Sequence, residues 1–120
     1  MQRDMNLVRQ ILLELEKSDG YSEFRTIRIQ GQSSEVIAYH LILLYEAGLI
    51  EGTPNKQTFN SPASISTRRL TWDGHEFLDL SRNDKLWKKA LEEVKKAGAP
   101  FTLDILKGLL LFWSKKQLGI

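Results

Sequence analysis

Two histidines, His40 and His75, are the side chains of this 120-residue chain best suited to proton transfer or metal binding. His75 and Asp79 lie four residues apart, so a helix would place them on one face at a spacing that two metal ligands can use. The sequence has no obvious third ligand for such a site, and it has no cysteine to supply a thiolate. Hydrogen-bonded or exposed histidines are the more common interpretation, so we expect neither a metal nor a cofactor.

The patterns that usually mark catalysis are also missing. The sequence has no Gly-rich phosphate loop, no nucleophile elbow and no pair of carboxylates at a catalytic spacing. Asp73, Glu76 and Asp79 recur at three-residue steps, which is typical of the solvated face of a short helix whose first turn favours negative charge. We therefore expect a protein that is not an enzyme.

Composition limits the class of protein further. Hydrophobic residues make up 42% and charged residues 27%, which is ordinary for one globular domain of this length. Seventeen Lys and Arg against fifteen Asp and Glu give a net charge of +2, too small an excess to indicate nucleic acid by itself. We expect no signal peptide and no membrane contact, because there is no apolar leader and no run of about 20 apolar residues. The absence of cysteine fits a reducing compartment, so we expect a cytoplasmic chain.

Apolar periodicity predicts two helices in the first half of the chain. The first runs from about Asp4 to Lys17, and the second runs from about Ser34 to Ala47 and ends before Gly48. Between them, the strand formers of Phe24 to Ile29 predict a short strand.

A hairpin and three more helices are predicted after Gly48. Leu49 and Ile50 begin one strand, and Ile65–Leu70 forms the second, beyond a polar stretch that contains two prolines. Thr71 is placed to cap a third helix. Two further helices follow, one around Trp87 and one from Thr102 to about Gln117. The predicted fold is therefore α+β and mainly α.

The order of these elements resembles a winged helix. The resemblance rests on the segment Glu46-Ala47-Gly48-Leu49-Ile50 before the hairpin and on Leu70-Thr71-Trp72-Asp73-Gly74 after it. In that fold the helix before the hairpin is the recognition helix and the hairpin is the wing. The chain departs from the pattern because only Gly31-Gln32 lies between the predicted strand and Ser33, so the helix that usually stands directly before the recognition helix is missing or reduced to a turn. We expect a winged-helix-like core over about residues 1–80 and a C-terminal helical hairpin over about residues 81–120.

The whole chain also resembles a bacterial and phage family of unknown function. This resemblance covers nearly the entire sequence and implies no activity and no catalytic residues. It rests on Arg3–Leu7, on Tyr39–Leu41, on Leu44–Gly52, on Leu70–Leu78 and on the helix that contains Trp87.

The second predicted helix has a surface better suited to a protein than to DNA. It has no Lys or Arg, and Glu35 and Glu46 would repel phosphates. An alternative is that its outer residues pack against the C-terminal hairpin of the same chain. The candidate partner interface consists of Ala38, Tyr39, Ile42 and Tyr45.

Basic side chains are concentrated in the second part of the sequence. Residues 54–120 have twelve basic and seven acidic side chains, whereas residues 1–53 have five and eight. Strand alternation places Arg69 with Thr67 on the face opposite Leu70, and leaves Arg68 on the face of Leu70. The candidates for phosphate contact through the wing are Arg25, Arg28, Lys56, Arg68 and Arg69. A solvated basic surface is the alternative.

The last predicted helix is apolar on nearly all sides. Between Leu103 and Trp113 only Asp104, Lys107 and Gly108 interrupt the apolar residues, so the helix should be buried on more than one side. We expect a homodimer in which Leu106, Leu110 and Trp113 pack across a two-fold axis. Leu109 and Phe112 would then face the chain's own core. Burial between the first helix and the Trp87 helix of one chain is the alternative.

Two functions therefore stay open. The first is a protein-interaction or dimeric adaptor module on a winged-helix scaffold, whose partner is another protein or a second copy of the chain. The second is a DNA-binding transcriptional regulator that contacts phosphates through the wing. The helix without cations favours the first function, and the fold resemblance favours the second.

Overall fold

The computed structural model of this chain describes residues 1–18 and 26–120. Within these residues the fold is α+β and mainly helical, as predicted, with five helices and one two-stranded antiparallel sheet. The elements are α1 (Met5–Glu16), α2 (Ser34–Glu46), β1 (Ile50–Asn55), β2 (Ser64–Leu70), α3 (Trp72–Ser81), α4 (Asp84–Ala97) and α5 (Leu103–Leu118). The chain divides inside α3 into two compact units, Met1–His75 and Glu76–Ile120, here called the N-terminal and C-terminal units.

The first helix forms where the apolar pattern predicts it. The side chain of Asp4 caps α1 by accepting hydrogen bonds from the main-chain N–H groups of Asn6 at 2.9 Å and Leu7 at 3.3 Å. One side of α1 is buried and packs against α2 and β2. The buried residues of α1 are Met5, Leu7, Val8, Ile11, Leu12 and Leu15.

The strand predicted for residues 24–29 is not formed by its described part. Residues 24 and 25 lie outside the described residues, and residues 26–29 belong to no strand. Ile27 is buried while Thr26 and Arg28 are exposed, so the alternation that suggested a strand is present. A strand also needs a ladder of hydrogen bonds to a neighbour, and the described sheet pairs β1 with β2 alone.

The second helix ends in a Schellman motif at Gly48. The N–H of Gly48 donates to the carbonyl of Tyr45 and that of Leu49 donates to the carbonyl of Leu44, both at 3.0 Å. Gly48 has a φ of 75°, a left-handed conformation that favours glycine. Leu44 and Leu49 are both buried, so the chain turns out of α2 directly into the core and then into β1.

The two strands pair with one irregularity. Ile50 lies opposite Leu70 and Glu51 lies opposite Arg69, but Gly52 lies opposite Thr67. Arg68 is therefore the extra residue of a β-bulge in β2. The N-terminal unit is completed by contacts of α2 with both strands.

Thr71 joins the end of α2 to the start of α3. Its main-chain N–H donates to the carbonyl of Leu49 at 3.0 Å, and its hydroxyl donates to the carbonyl of Gly48 at 2.5 Å. The same hydroxyl oxygen accepts from the N–H of Gly74 at 3.1 Å, which confirms the predicted cap. Gly74 lies so close to this corner that a Cβ there would overlap the carbonyl oxygen of Leu49.

The C-terminal unit is built around the packing of α4 against α5. Asn83 caps α4, Thr102 caps α5, and Gly98 ends α4 with a φ of 67°. The rings of Phe77 and Trp87 meet edge to face, with their centroids 6.1 Å apart. The fully or nearly fully buried apolar side chains of this unit are Phe77, Leu78, Trp87, Ala90, Val94, Leu106 and Leu110.

The corner at Gly74 predicts a marked difference between two Gly→Ala substitutions. Gly74→Ala should lower the free energy of unfolding by about 1–3 kcal/mol or more, because the new methyl group meets a main-chain oxygen. Gly108→Ala is the matched control, since Gly108 is also helical but has no atom within 4 Å of the Cβ position. Alanine there should raise stability by up to about 1 kcal/mol. Urea unfolding followed by circular dichroism measures both, and equal effects would contradict the proposed close contact.

Candidate interaction surfaces

The outer side of α2 carries the four residues predicted as a partner interface. Ala38, Tyr39 and Ile42 are half-buried, and Tyr45 is exposed. The buried side of the helix is formed by Ile37, His40, Leu41 and Leu44. The stripe is therefore accessible but narrow, and it carries no positive charge.

His40 lies on the buried side of α2 and links this helix to the start of α1. Its Nε2 accepts a hydrogen bond from the main-chain N–H of Asp4, and its Nδ1 donates one to the carbonyl oxygen of Val36, both at 2.8 Å. These partners select the tautomer with the proton on Nδ1, because a main-chain N–H only donates and a carbonyl only accepts. Both ring nitrogens are thus engaged in holding the fold, and His40 is a structural residue.

The β-bulge changes the predicted faces of the two hairpin arginines, Arg68 and Arg69. Thr67 and Leu70 are both buried, whereas Arg68 and Arg69 are both exposed. The prediction that Thr67 shares a face with Arg69 is therefore wrong, because the extra residue at Arg68 breaks the two-residue alternation. Both guanidinium groups consequently lie on the same exposed side of the hairpin.

Glu51 pairs with both of these arginines. Its Oε2 lies 2.8 Å from Nη2 of Arg69 and also accepts from Nε of Arg69 at 2.9 Å. Its Oε1 lies 3.6 Å from Nη1 of Arg68. One carboxylate thus serves two guanidinium groups, and the cluster keeps one formal positive charge. About half of each arginine side chain is exposed, so the ion pairs contribute little to stability.

The remaining candidates for phosphate contact are Lys56, Arg28 and Arg25. Lys56 is exposed just beyond β1, and Arg28 is exposed outside the hairpin. Arg25 lies outside the described residues. The hairpin loop also presents a fully exposed aromatic ring, Phe59, which the sequence analysis did not single out.

The structure reverses the predicted faces of α5. Leu106 and Leu110, expected at a dimer interface, are 0% exposed within the single chain, so they have no surface to offer a second copy. Phe112, expected in the core, is 58% exposed, and Leu111 is 43% exposed. Trp113, the third predicted dimer residue, is half-buried and lies beneath Lys89, whose Nζ is 4.4 Å from the ring centroid.

A basic groove between α4 and α5 surrounds that tryptophan. Its lining includes Leu86 and Trp113 together with Lys85, Lys89 and Lys116. The C-terminal unit has nine basic and six acidic side chains, so this groove lies in the more positive part of the chain. Of these three lysines, only Lys85 and Lys89 are neighbours on one helix and could be grouped from the sequence, because Lys116 lies on a different helix. Chemically, the groove is suited to anions.

The described ranges contain no group of three or more His, Asp or Glu side chains placed to hold a metal ion. Among residues 1–18 and 26–120, none of the helices combines the length and hydropathy that a membrane crossing needs.

The fold and these surfaces define a small α+β chain with candidate binding surfaces on α2, the hairpin and the C-terminal helices. Residues 2–100 match the family described as "Hypothetical protein (DUF2513)", and the chain belongs to this family. This confirms the expected family of unknown function. A relative from Haemophilus influenzae, described as an uncharacterized protein, is 37% identical over 108 residues, which cover 89% of this chain and 90% of the relative. No solved structure matches the chain.

The buried and exposed sides of α5 predict very different losses of stability for two leucine truncations. Leu106→Ala should lower the free energy of unfolding by about 2–5 kcal/mol, because it leaves a cavity around a fully buried position. At a protein concentration low enough for the chain to be monomeric, Leu111→Ala removes the same atoms from an exposed position and should change stability by no more than about 0.5 kcal/mol. Chemical denaturation of both variants tests this assignment. A larger loss for Leu111→Ala than for Leu106→Ala would show that the faces are wrongly assigned.

Proposed function

We propose that this chain is a non-enzymatic protein-interaction module on a winged-helix-like scaffold, and that the exposed side of α5 is its contact surface. The observation that carries the proposal is the exposure of Leu111 and Phe112 on a helix whose opposite side, at Leu106 and Leu110, is fully buried. Large apolar side chains grouped on an exposed helix face are typical of sites that another protein covers. Leu118, near the end of the same helix, is exposed as well.

Support for the winged-helix-like scaffold comes from the N-terminal unit. There α2 immediately precedes the β1–β2 hairpin, α1 and α2 both contact β2, and α3 begins directly after the hairpin. In a winged helix, α2 would hold the position of the recognition helix. Its accessible stripe contains no cation, while Glu35 and Glu46 are exposed. This favours contact with protein rather than with phosphate on that surface.

A second candidate function is a DNA-binding transcriptional regulator that uses the wing. The observation that favours it is the β-bulge, which places Arg68 and Arg69 on one exposed side, where Glu51 pairs with both. Two guanidinium groups and one carboxylate leave a net positive charge that a phosphate could share.

The protein-interaction proposal predicts cross-linking at one of two exposed phenylalanines. With the photoreactive analogue p-benzoylphenylalanine in place of Phe112, irradiation in bacterial cells should yield a discrete protein adduct. The same analogue in place of Phe59, fully exposed on the hairpin loop, is the control and should yield none. Mass spectrometry identifies the captured chain, and nuclease treatment shows whether nucleic acid contributes. Absence of a protein adduct at 112, or one found only at 59, would refute the proposed surface.

The DNA-binding candidate predicts opposite effects of two kinds of wing variant. Arg68→Ala and Arg69→Ala should weaken binding to mixed-sequence duplex, and each should reduce the slope of log affinity against log salt by about 1. Glu51→Gln should strengthen binding, because it removes the carboxylate that competes with phosphate. Fluorescence anisotropy at low salt measures all three. If wild-type protein shows no binding at about 100 μM, this function is excluded, since non-specific dissociation constants usually fall near 10⁻⁴–10⁻⁶ M.

A further inference from the structure

The exposed side of α5 has a regular spacing that narrows the kind of partner it fits. Six exposed residues follow one another at alternating steps of three and four, which is the spacing of the seam in a two-stranded coiled coil. The first of them stands just before Thr102, the N-cap of α5, and the others lie on the helix. These seam residues are Phe101, Asp104, Gly108, Leu111, Lys115 and Leu118.

The seams of two copies of α5 are complementary when the two helices run antiparallel. If two copies of α5 run antiparallel about a two-fold axis midway between Gly108 and Leu111, each seam residue meets a different one. The resulting pairs are Asp104 with Lys115 and Gly108 with Leu111, and Leu118 comes to the end of the second helix, where Phe101 stands just before the N-cap. The pairs join acid with base, and the smallest side chain with a large one.

A parallel pairing of the same helices would lose this match. Asp104 would face Asp104 and Lys115 would face Lys115, which are repulsive contacts between like charges. Gly108 would face Gly108, where the structure has no atom within 4 Å of the Cβ position, so the pair would leave an unfilled space. The charge pattern of the seam therefore selects the antiparallel arrangement.

We propose that α5 pairs antiparallel with α5 of a second copy of this chain, in the register that places Asp104 opposite Lys115. This inference rests on the proposed function, because it names the partner that covers the same surface. Phe112, which flanks the seam, would lie near Lys107 of the second copy, whose aliphatic stem can cover the ring. The apolar residues expected to be covered by another protein are thus all included in one symmetric contact.

Charge reversal tests the pairing. Asp104→Lys and Lys115→Asp should each shift sedimentation equilibrium toward monomer, because each places like charges together twice across the axis. The double variant that carries both changes should recover wild-type association. Glu92→Lys, an exposed reversal on α4 away from the seam, is the control and should leave association unchanged.

The double variant also distinguishes an effect on association between chains from an effect on the stability of α5 itself. Asp104 lies in the first turn of α5 and Lys115 in the last, so both reversals oppose the helix dipole. The double variant is therefore the least favourable of the three for the helix itself. Recovered association would report the contact between chains, whereas a double variant more dissociated than either single variant would overturn the pairing.

Disulfide formation tests the direction of the helices in a chain that has no cysteine of its own. Chains with Asp104→Cys mixed with chains with Lys115→Cys should give a cross-linked dimer on mild oxidation. In the proposed register, two copies of residue 104 lie about 16 Å apart along the helix axis, at 1.5 Å per residue. Disulfide bonds need Cα atoms within about 4.4–6.8 Å, so neither variant alone should cross-link efficiently.

These outcomes distinguish the inference from the proposed function. A wild-type chain that stays monomeric up to its solubility limit overturns the pairing, and so does efficient cross-linking of the Asp104→Cys chain with itself. If the photoreactive group at position 112 nevertheless captures a different protein, the interaction function stands and only the choice of partner fails. If position 112 captures nothing, both fail together.

Discussion

The N-terminal unit depends on the hydrogen bonds that gather around Thr71. This residue holds the carbonyl groups of Gly48 and Leu49 through its hydroxyl and its N–H, and it caps α3 with the same hydroxyl oxygen. The contact is close enough that only glycine fits at position 74. Because β1 begins at Ile50 and β2 ends at Leu70, this corner also fixes the base of the hairpin. The placement of the hairpin relative to α2 follows from it.

The sequence signals that predicted the fold correctly are local ones. Asp4 and Thr71 each cap a helix through a hydrogen bond within three residues, so their effect can be recognised without knowing the rest of the structure. Gly48 ends α2 for a similarly local reason, since a positive φ favours glycine. Two of the segments that carry the resemblance to a family of unknown function, Leu44–Gly52 and Leu70–Leu78, also form the Thr71 corner.

The candidate sites were harder to predict because they depend on which helices and strands pack against one another in the folded chain. An apolar run such as Leu109, Leu110, Leu111 and Phe112 shows that α5 is buried somewhere, but not which side α4 covers. The faces of the hairpin arginines depended on a single additional residue, since strand alternation gives the wrong face once Arg68 bulges. The basic groove around Trp113 joins side chains from two helices, and a pattern along one chain cannot show it.

The β-bulge also marks a position where the length of the hairpin can change without disturbing its core. Without Arg68, the pairs Ile50 with Leu70, Glu51 with Arg69 and Gly52 with Thr67 would form one regular ladder. Thr67 and Leu70 would still lie on the buried side, and Arg69 would keep its ion pair with the carboxylate of Glu51. Arg68 is therefore equivalent to an insertion that adds one charge to the surface and leaves the interior register intact.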